Sequence, residues 1–196
     1  MVLIIRDFMN YKDYINARDL SWRILIQENI IELPVDIVGV CRQLGIRTKY
    51  YKPEKQTDGK SLIIDGEPVI FVKSECPRQR IRFTIAHELG HILLGHVGKY
   101  SLVNREPSPN DNPIEREANV FASRLLAPAC VLYGCGIKTA DEISTLCDIS
   151  PQAAEYRMKR LVELYRRNMF MTSPLERQVY EQFSHFIKAY RHQADR

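Results

Sequence analysis

Apolar residues recur at helical spacing in several stretches of the chain, and short segments rich in glycine, proline and polar residues separate these stretches. In residues 11–32 an apolar set lies between charged residues at this spacing: Ile15, Trp22, Leu25 and Ile26. The pattern predicts an amphipathic helix. A second helix is predicted between Pro34 and Gly45, because proline suits the first position of a helix and glycine suits the position just past its end.

The next segments have the composition of β-strands. Residues 46–51 are rich in β-branched and aromatic side chains, and two further runs of this kind flank the dipeptide Asp65-Gly66. Asp-Gly between two such runs is typical of a type I′ turn, so residues 61–73 are predicted to form a hairpin. We expect its second strand, Pro68–Lys73, to lie at a sheet edge, since Pro68 lacks an N–H group.

Four further helical segments are predicted by the same spacing: residues 81–96, 114–127, 139–166 and 174–191. Pro128 ends the second of them, and residues 106–113, with three prolines, are predicted to be loop. The third should form two short helices joined by a turn at residues 148–150. A few strands beside many helices indicate an α+β fold, with a small sheet and its hairpin packed on a helix and a helical C-terminal part.

Length, composition and charge exclude several classes of protein. The chain has 196 residues, 45% of them hydrophobic and 27% charged, which fits one globular domain with a small appendage. The net charge is +4, but residues 157–196 carry nine Lys and Arg against four Asp and Glu, so the basicity is local to the C-terminus. Five cysteines, an odd number, favour reduced thiols in the cytoplasm. No run approaches 18 apolar residues, so we expect no membrane span.

The segment His87-Glu88-Leu89-Gly90-His91 has the His-Glu-x-x-His pattern of zinc peptidases. Two histidines four residues apart share one face of a helix, so both imidazoles can reach one tetrahedral metal ion. Glu88 lies beside the first histidine and is the candidate general base. Two polar histidines on an exposed helix face are the alternative, but apolar residues and glycine surround this pair.

A catalytic zinc site needs a third protein ligand and an open position. The candidates are His96, Glu115 and Glu117, of which the last two lie in the helix predicted after the proline-rich loop. Glu115 has a second explanation, since Asn112, Pro113 and Glu115 have the spacing of a helix N-terminal capping box. Ala118 and Ala122 predict that this helix packs closely against another, as a short Glu side chain requires if it is to reach the metal.

These residues resemble the ImmA/IrrE family of metallopeptidases, which are gluzincin-type zinc enzymes. The resemblance rests on the segments RFTIAHELGHILLGH, EREANVFASRLLAP and DGEPVIFVK, over residues 30–130. It implies a zincin-like fold with zinc bound by His87, His91 and Glu115, because in related gluzincins the ligand Glu is followed four residues later by Asp or Asn, here Asn119. The chain has LLAP where the family more often has LLMP.

The resemblance implies a zinc endopeptidase that cleaves a specific protein partner, a transcriptional repressor of a mobile element or stress response, and the cysteine content favours a cytoplasmic location. We expect residues 1–135 to form the peptidase domain and residues 136–196 a helical subdomain packed on it. A substrate would add as an extended strand to Pro68–Lys73. Tyr100, Tyr133 and His185 are candidates for an oxyanion donor, and the sequence does not choose among them.

The C-terminal helices suggest a competing function. Residues 139–161 resemble a helix-turn-helix, with an apolar set followed by basic residues: Ile143, Leu146, Ile149, Ala153, then Arg157, Lys159 and Arg160. The alternative is therefore a DNA-binding regulator whose zinc site senses or stabilises without turnover. We favour packing of these helices on the peptidase domain, because the second helix begins PQAAEY, with few groups able to contact base edges.

Overall fold

The computed structural model describes residues 11–52, 58–97 and 112–194. Within these ranges the chain forms nine helices and three strands, the mostly helical α+β arrangement that the pattern predicts. In chain order they are α1 (Tyr11–Gln27), α2 (Ile37–Gln43), β1 (Arg47–Tyr51), β2 (Gly59–Ile64), β3 (Glu67–Lys73), α3 (Arg78–Leu93), α4 (Pro113–Leu126), α5 (Ala129–Cys135), α6 (Ala140–Cys147), α7 (Pro151–Arg166), α8 (Pro174–Gln182) and α9 (Ser184–Ala194).

The three strands form one mixed sheet in the order β1-β3-β2. The hairpin between β2 and β3 is confirmed, and its turn residues Asp65 and Gly66 have φ angles of 54° and 83°, as a type I′ turn requires. The prediction that Pro68–Lys73 is an edge strand is wrong. This strand is central, because β1 pairs with it in parallel on the side opposite β2.

The register of the hairpin shows which main-chain groups of β2 point outward. Ile64 faces Glu67 across a two-residue turn, so this pair exchanges hydrogen bonds and the pairs alternate from there. Ile63 opposite Pro68 is then a non-hydrogen-bonded pair, and β1 pairs with β3 only from Val69 onward, so neither neighbouring strand needs an N–H group at Pro68. The N–H and C=O groups of Gly59, Ser61 and Ile63 therefore point away from β3, along a strand that is a sheet edge within the described residues.

Helix α3 lies between the sheet and α4 and carries much of the core. Ile85 and Leu89 of α3 are buried together with Ile70 of β3 and Phe121 of α4. A side chain at Gly90 would meet this partner helix, since a Cβ there would lie 3.0 Å from Phe121 Cδ1 and 3.3 Å from Ala118 Cα. The expected close packing at Ala118 and Ala122 is confirmed, because both are fully buried.

Several element boundaries differ from the predicted ones. Helix α2 begins after Asp36, whose side chain accepts a hydrogen bond from the Gly39 N–H, rather than at Pro34. This aspartate is the stronger N-terminal signal, since a side-chain acceptor satisfies a free N–H group of the first turn. The last predicted helix is divided at Phe183 into α8 and α9, and the short helix α5 was not predicted.

One segment of the described chain, Pro113–Cys135, is long and apolar enough to cross a membrane by length and composition alone. Its most apolar window is 72% buried within the fold, and the segment is divided between α4 and α5. Core helices of globular domains have the same properties, so this composition reflects burial in the protein.

Two buried arginines join the C-terminal helices to the rest of the chain. Arg82 of α3 donates to the main-chain oxygens of Asp148 at 3.1 Å and Cys147 at 3.3 Å, at the end of α6. Its guanidinium also lies 3.3 Å from the Asp148 carboxylate. Arg157 of α7 is only 1% exposed, and its Nε donates to the Ala127 oxygen just past α4.

We expect Arg82→Met to lower the free energy of unfolding by about 2–4 kcal/mol, because the carbonyls of Cys147 and Asp148 lose their donor and a buried ion pair loses its cation. Arg78→Met is the matched control. Arg78 contacts the same carboxylate at 2.8 Å but is 74% exposed, against 10% for Arg82. Its loss should cost less than about 1 kcal/mol. Equal effects in urea unfolding would contradict the docking role given to Arg82.

Candidate metal centre

Helix α3 brings His87 and His91 side by side. Their positions four residues apart place both rings on one face, and their Nε2 atoms lie 2.9 Å apart. His91 is almost fully buried, at 2% side-chain exposure, whereas His87 lies nearer the surface. The pair that the sequence singles out is therefore assembled by the geometry of one helix.

Helix α4 brings Glu115 to the same point. Asn112 caps this helix by accepting a hydrogen bond from the Ile114 N–H, and Pro113 occupies the first turn. The Glu115 side chain leaves this turn toward α3, with Oε2 at 3.1 Å from His87 Nε2 and Oε1 at 3.4 Å from His91 Nε2. The cap that the sequence predicts at Asn112 is present, but the Glu115 carboxylate lies against the two histidines.

The donor atoms fit a tetrahedral metal ion. His87 Nδ1 lies 3.0 Å from Asn119 Oδ1, and because an amide oxygen only accepts, this contact assigns the ring proton to Nδ1. The Nε2 lone pair of a neutral His87 then faces His91 and Glu115, and all three ligand atoms lie within 4.8 Å of one another. Zinc bonds of about 2.0–2.1 Å imply ligand separations of about 3.3 Å in a tetrahedron, close to the observed spacing.

Electrostatics at the centre also favour a cation. In the metal-free protein, a ring N–H donated by His87, and next by His91, lowers the pKa of Glu115 well below its ordinary value, although burial opposes this shift. Glu115 is thus a carboxylate at neutral pH. Converging lone pairs repel one another unless a proton or a cation lies between them, and a metal ion would displace such a proton.

Glu88 lies on the sheet side of α3 and is 3% exposed. Its Oε2 accepts a hydrogen bond of 2.7 Å from the Ser61 hydroxyl on β2. The strand passes close to the helix here, since a Cβ at Gly59 would lie 2.3 Å from Thr84 Cγ2. Sequence reasoning missed Ser61, because only the register of β2 against α3 places it beside Glu88.

The other two candidates for third ligand lie beside the centre. His96 Nδ1 is 3.0 Å from His91 Nδ1, on the edge of the His91 ring opposite Nε2. Glu117 Oε2 is 3.6 Å from His96 Nε2. Burial, with the charge of Asp13 adding to it, raises the pKa of Glu117. Neither residue belongs to the group that could hold a metal among the described residues.

Two of the three candidates for an oxyanion donor are among the described residues. Tyr100 lies outside the described residues. Tyr133 stacks on Phe170, with ring centroids 4.2 Å apart, in a cluster that includes Tyr165. His185 is exposed on α9. The geometry therefore assigns none of them to the site.

The part of the chain that contains the candidate metal centre is similar to known proteins. The model of the IrrE N-terminal-like domain, peptidase family M78, matches residues 41–159. No curated protein matches the chain significantly. A solved structure described as a Mycobacterium tuberculosis transcriptional regulator is similar to it, with a TM-score of 0.55 and 16% identity over 76% of this chain. This chain covers 48% of that protein, and at this identity the likeness shows the fold alone.

We expect the purified chain to bind a single zinc ion, and His87→Ala, His91→Ala or Glu115→Gln to lose most of it. Two remaining protein ligands are too few to hold the ion during dialysis. Glu117→Gln should keep its zinc through dialysis and is the matched control, since it removes a carboxylate two residues away on the same helix and leaves all three ligands in place. A modest loss of affinity does not empty the site in this measurement. Metal analysis after dialysis gives the answer. Full zinc content in both histidine variants would contradict this site.

Proposed function

Because the chain belongs to the IrrE N-terminal-like family of peptidases, whose model covers more than half of it, we propose that it is a zinc-dependent endopeptidase. The observation that carries the proposal is the convergence of two imidazoles and a carboxylate from α3 and α4. A second carboxylate, that of Glu88, is buried between this helix and an edge strand.

In this proposal His87, His91 and Glu115 are the metal ligands and Glu88 is the general base. When bound, the metal would polarise the scissile carbonyl and bring the pKa of water toward neutrality. Glu88 takes the proton of the attacking water and passes it to the leaving amine. Ser61 holds the Glu88 carboxylate by donating to one of its oxygens, which fixes the direction of the other.

The donor set favours a catalytic site over a structural one. A structural zinc site closes its fourth position with a protein ligand and needs no base beside it. Here the group of possible ligands within the described residues has three members, and Glu88 stands next to the first of them. Both features support turnover.

We infer that the substrate adds to the outer edge of β2 as an extended segment. The outward N–H and C=O groups of Ile63, which is 51% exposed, would pair with the substrate main chain two residues along the strand from Ser61, whose hydroxyl contacts Glu88. Pairing of this kind presents a peptide bond in a fixed line without demanding particular side chains. Unfolded or loop segments of a protein are the substrates that it suits.

As partner we propose a specific transcriptional repressor, and as location the cytoplasm. All five cysteines are free, and four of them are buried, which is compatible with a reducing compartment. The experiment that tests the partner is co-expression with a candidate repressor from the same locus. A new repressor fragment that appears with the wild-type chain and is absent with Glu88→Gln supports the proposal.

DNA binding is the second candidate, and it is less favoured. Two helices joined by a short turn, α6 and α7, lie in the segment that resembles a helix-turn-helix, and the similar mycobacterial protein is described as a regulator. However, Arg157 points into the core, and Arg160 lies over the Tyr14 ring and beside Glu163. Of the three basic residues that suggested a recognition helix, Lys159 remains on the exposed face. Gel-shift titration of the metal-loaded chain with duplex DNA separates the two functions.

We expect Glu88→Gln to keep its zinc but to lose cleavage by about 10²–10⁴-fold, because the amide has nearly the same shape and cannot accept the proton. Metal content and turnover are measured on the same preparation. If the variant retains zinc, its loss of cleavage is due to the missing base and not to damage of the metal site. Cleavage at the wild-type rate would rule out Glu88 as the base.

We expect Ile63→Pro to raise KM about 5- to 10-fold with zinc retained, because one outward N–H, worth about 1 kcal/mol as a main-chain hydrogen bond, is lost. Ile63→Thr is the matched control, since it keeps both the N–H group and strand propensity. Thermal melting of both variants verifies the fold. An unchanged KM in folded Ile63→Pro would exclude substrate pairing at this position.

A further inference from the structure

We propose that His96, oriented by the Glu117 carboxyl group, holds His91 in position for the metal, and we call His96 and Glu117 the relay. The inference rests on the proposed zinc site but concerns residues outside the ligand set. His96 and Glu117 act here as positioning residues, because their side chains reach the centre only through His91.

The chain reversal at the C-terminal end of α3 places His96 beside His91. Gly95 has a φ of +72°, the left-handed conformation that commonly ends helices, and its N–H donates to the Ile92 oxygen. The His96 N–H then donates back to the His91 oxygen at 2.9 Å. This reversal returns the chain over the last turn of the helix. A residue five positions after His91 is thereby placed beside it.

The side chains continue the chain of contacts. His91 directs Nε2 toward His87 and Glu115, and its Nδ1 lies 3.0 Å from His96 Nδ1. With Nε2 as ligand, the proton of a neutral His91 is on Nδ1 and is donated to His96 Nδ1. The proton of a neutral His96 is then on Nε2, which faces Glu117 Oε2 at 3.6 Å. This assignment of protons is consistent with the contacts that join His87, His91, His96 and the two glutamates.

Burial explains why His91 needs this support. At 2% exposure its ring has little access to water, so an imidazole N–H that lacked an acceptor would favour other ring orientations. An acceptor on Nδ1 fixes the tautomer that leaves Nε2 free and makes that nitrogen a stronger ligand. The Glu117 carboxyl group lies against the far nitrogen of His96 and so orients the ring that accepts from His91.

The two zinc-ligand histidines therefore have different supports. His87 donates to the neutral amide of Asn119, whereas His91 donates to an imidazole that a carboxylate orients. His96 cannot share the metal with His91 in this arrangement, since its near nitrogen faces the edge of the His91 ring opposite the ligand atom. Its geometry suits a support of the ligand.

The experiment measures Zn²⁺ affinity of the full chain by competition with a chromophoric chelator, together with melting of the metal-free protein. His96→Ala should weaken zinc binding about 10- to 100-fold, the usual effect of removing such a partner. His96→Asn should recover part of this loss, because its side-chain oxygen can accept near the position of Nδ1. His185→Ala, which removes an exposed imidazole on α9, should leave the affinity unchanged.

Two further variants test the relay itself. Glu117→Ala should weaken zinc binding by a smaller factor and should add nothing in the His96→Ala background, because it acts through His96. Gly95→Ala strains the left-handed residue and should weaken zinc binding, while Gly95→Asn, which tolerates this conformation, should retain more of it. Neither Gly95 variant removes a side chain of the relay, so the backbone reversal is tested separately.

The outcomes separate this inference from the proposed function. Unchanged affinity in His96→Ala, or fully additive losses in the double variant, would overturn the relay while leaving the zinc site in place. Loss of affinity only in step with a lower melting temperature of the metal-free protein would also overturn it, as a structural role. Absence of zinc binding by the wild-type chain would overturn the proposed function and the relay together.

Discussion

The contact between α3 and α4 at Gly90 is the constraint on which the candidate site depends. A Glu side chain is short, so Glu115 reaches the histidines only if its helix lies close to theirs. Gly90 and Ala118 provide this closeness, because a Cβ at position 90 would already be 3.0 Å from Phe121. A larger side chain at either position would separate the two halves of the ligand set without touching any ligand. Packing thus decides the coordination geometry.

The other side of α3 follows the same principle. Gly59 lets β2 pass over Thr84, and this approach places Ser61 beside Glu88. Helix α3 therefore packs between α4 and β2. A glycine lies at each contact, Gly90 against α4 and Gly59 on β2. One surface carries the candidate metal ligands, and the other carries Glu88, the proposed base, and the edge proposed for the substrate strand. The metal-binding surface and the surface with the base adjoin each other because Glu88 directly follows His87 in the chain.

The sequence pattern predicted those features of the site and the sheet that depend on residues close together in the chain. The pairing of His87 with His91 follows from helix periodicity, and the hairpin follows from Asp65-Gly66. The spacing of Glu115 and Asn119 placed both against His87 once their helix was next to α3. The central position of β3 was not predictable in this way, because its parallel pairing with β1 joins segments that are distant in the chain.

The direction of side chains on the C-terminal helices was also not predictable from the sequence. Arg157 is basic in a basic region, yet it is buried and hydrogen-bonded to Ala127, since its position on α7 faces the core. A count of charges does not contain this information. The role of His96 was hidden for a related reason. Five residues after His91 is the wrong spacing for one helix face, and only the reversal at Gly95 brings the two imidazoles together.

The proposed ligands lie on both sides of the segment that connects α3 to α4. A cation held by His91 and Glu115 therefore closes that segment into a loop, much as a disulfide would, and restricts the unfolded chain. His87 and His91 alone cannot do this, because both belong to α3, so the closure depends on Glu115. The ion that serves the chemistry would then also serve as a removable crosslink, and the supply of metal in the cell would set how firmly the two central helices stay together.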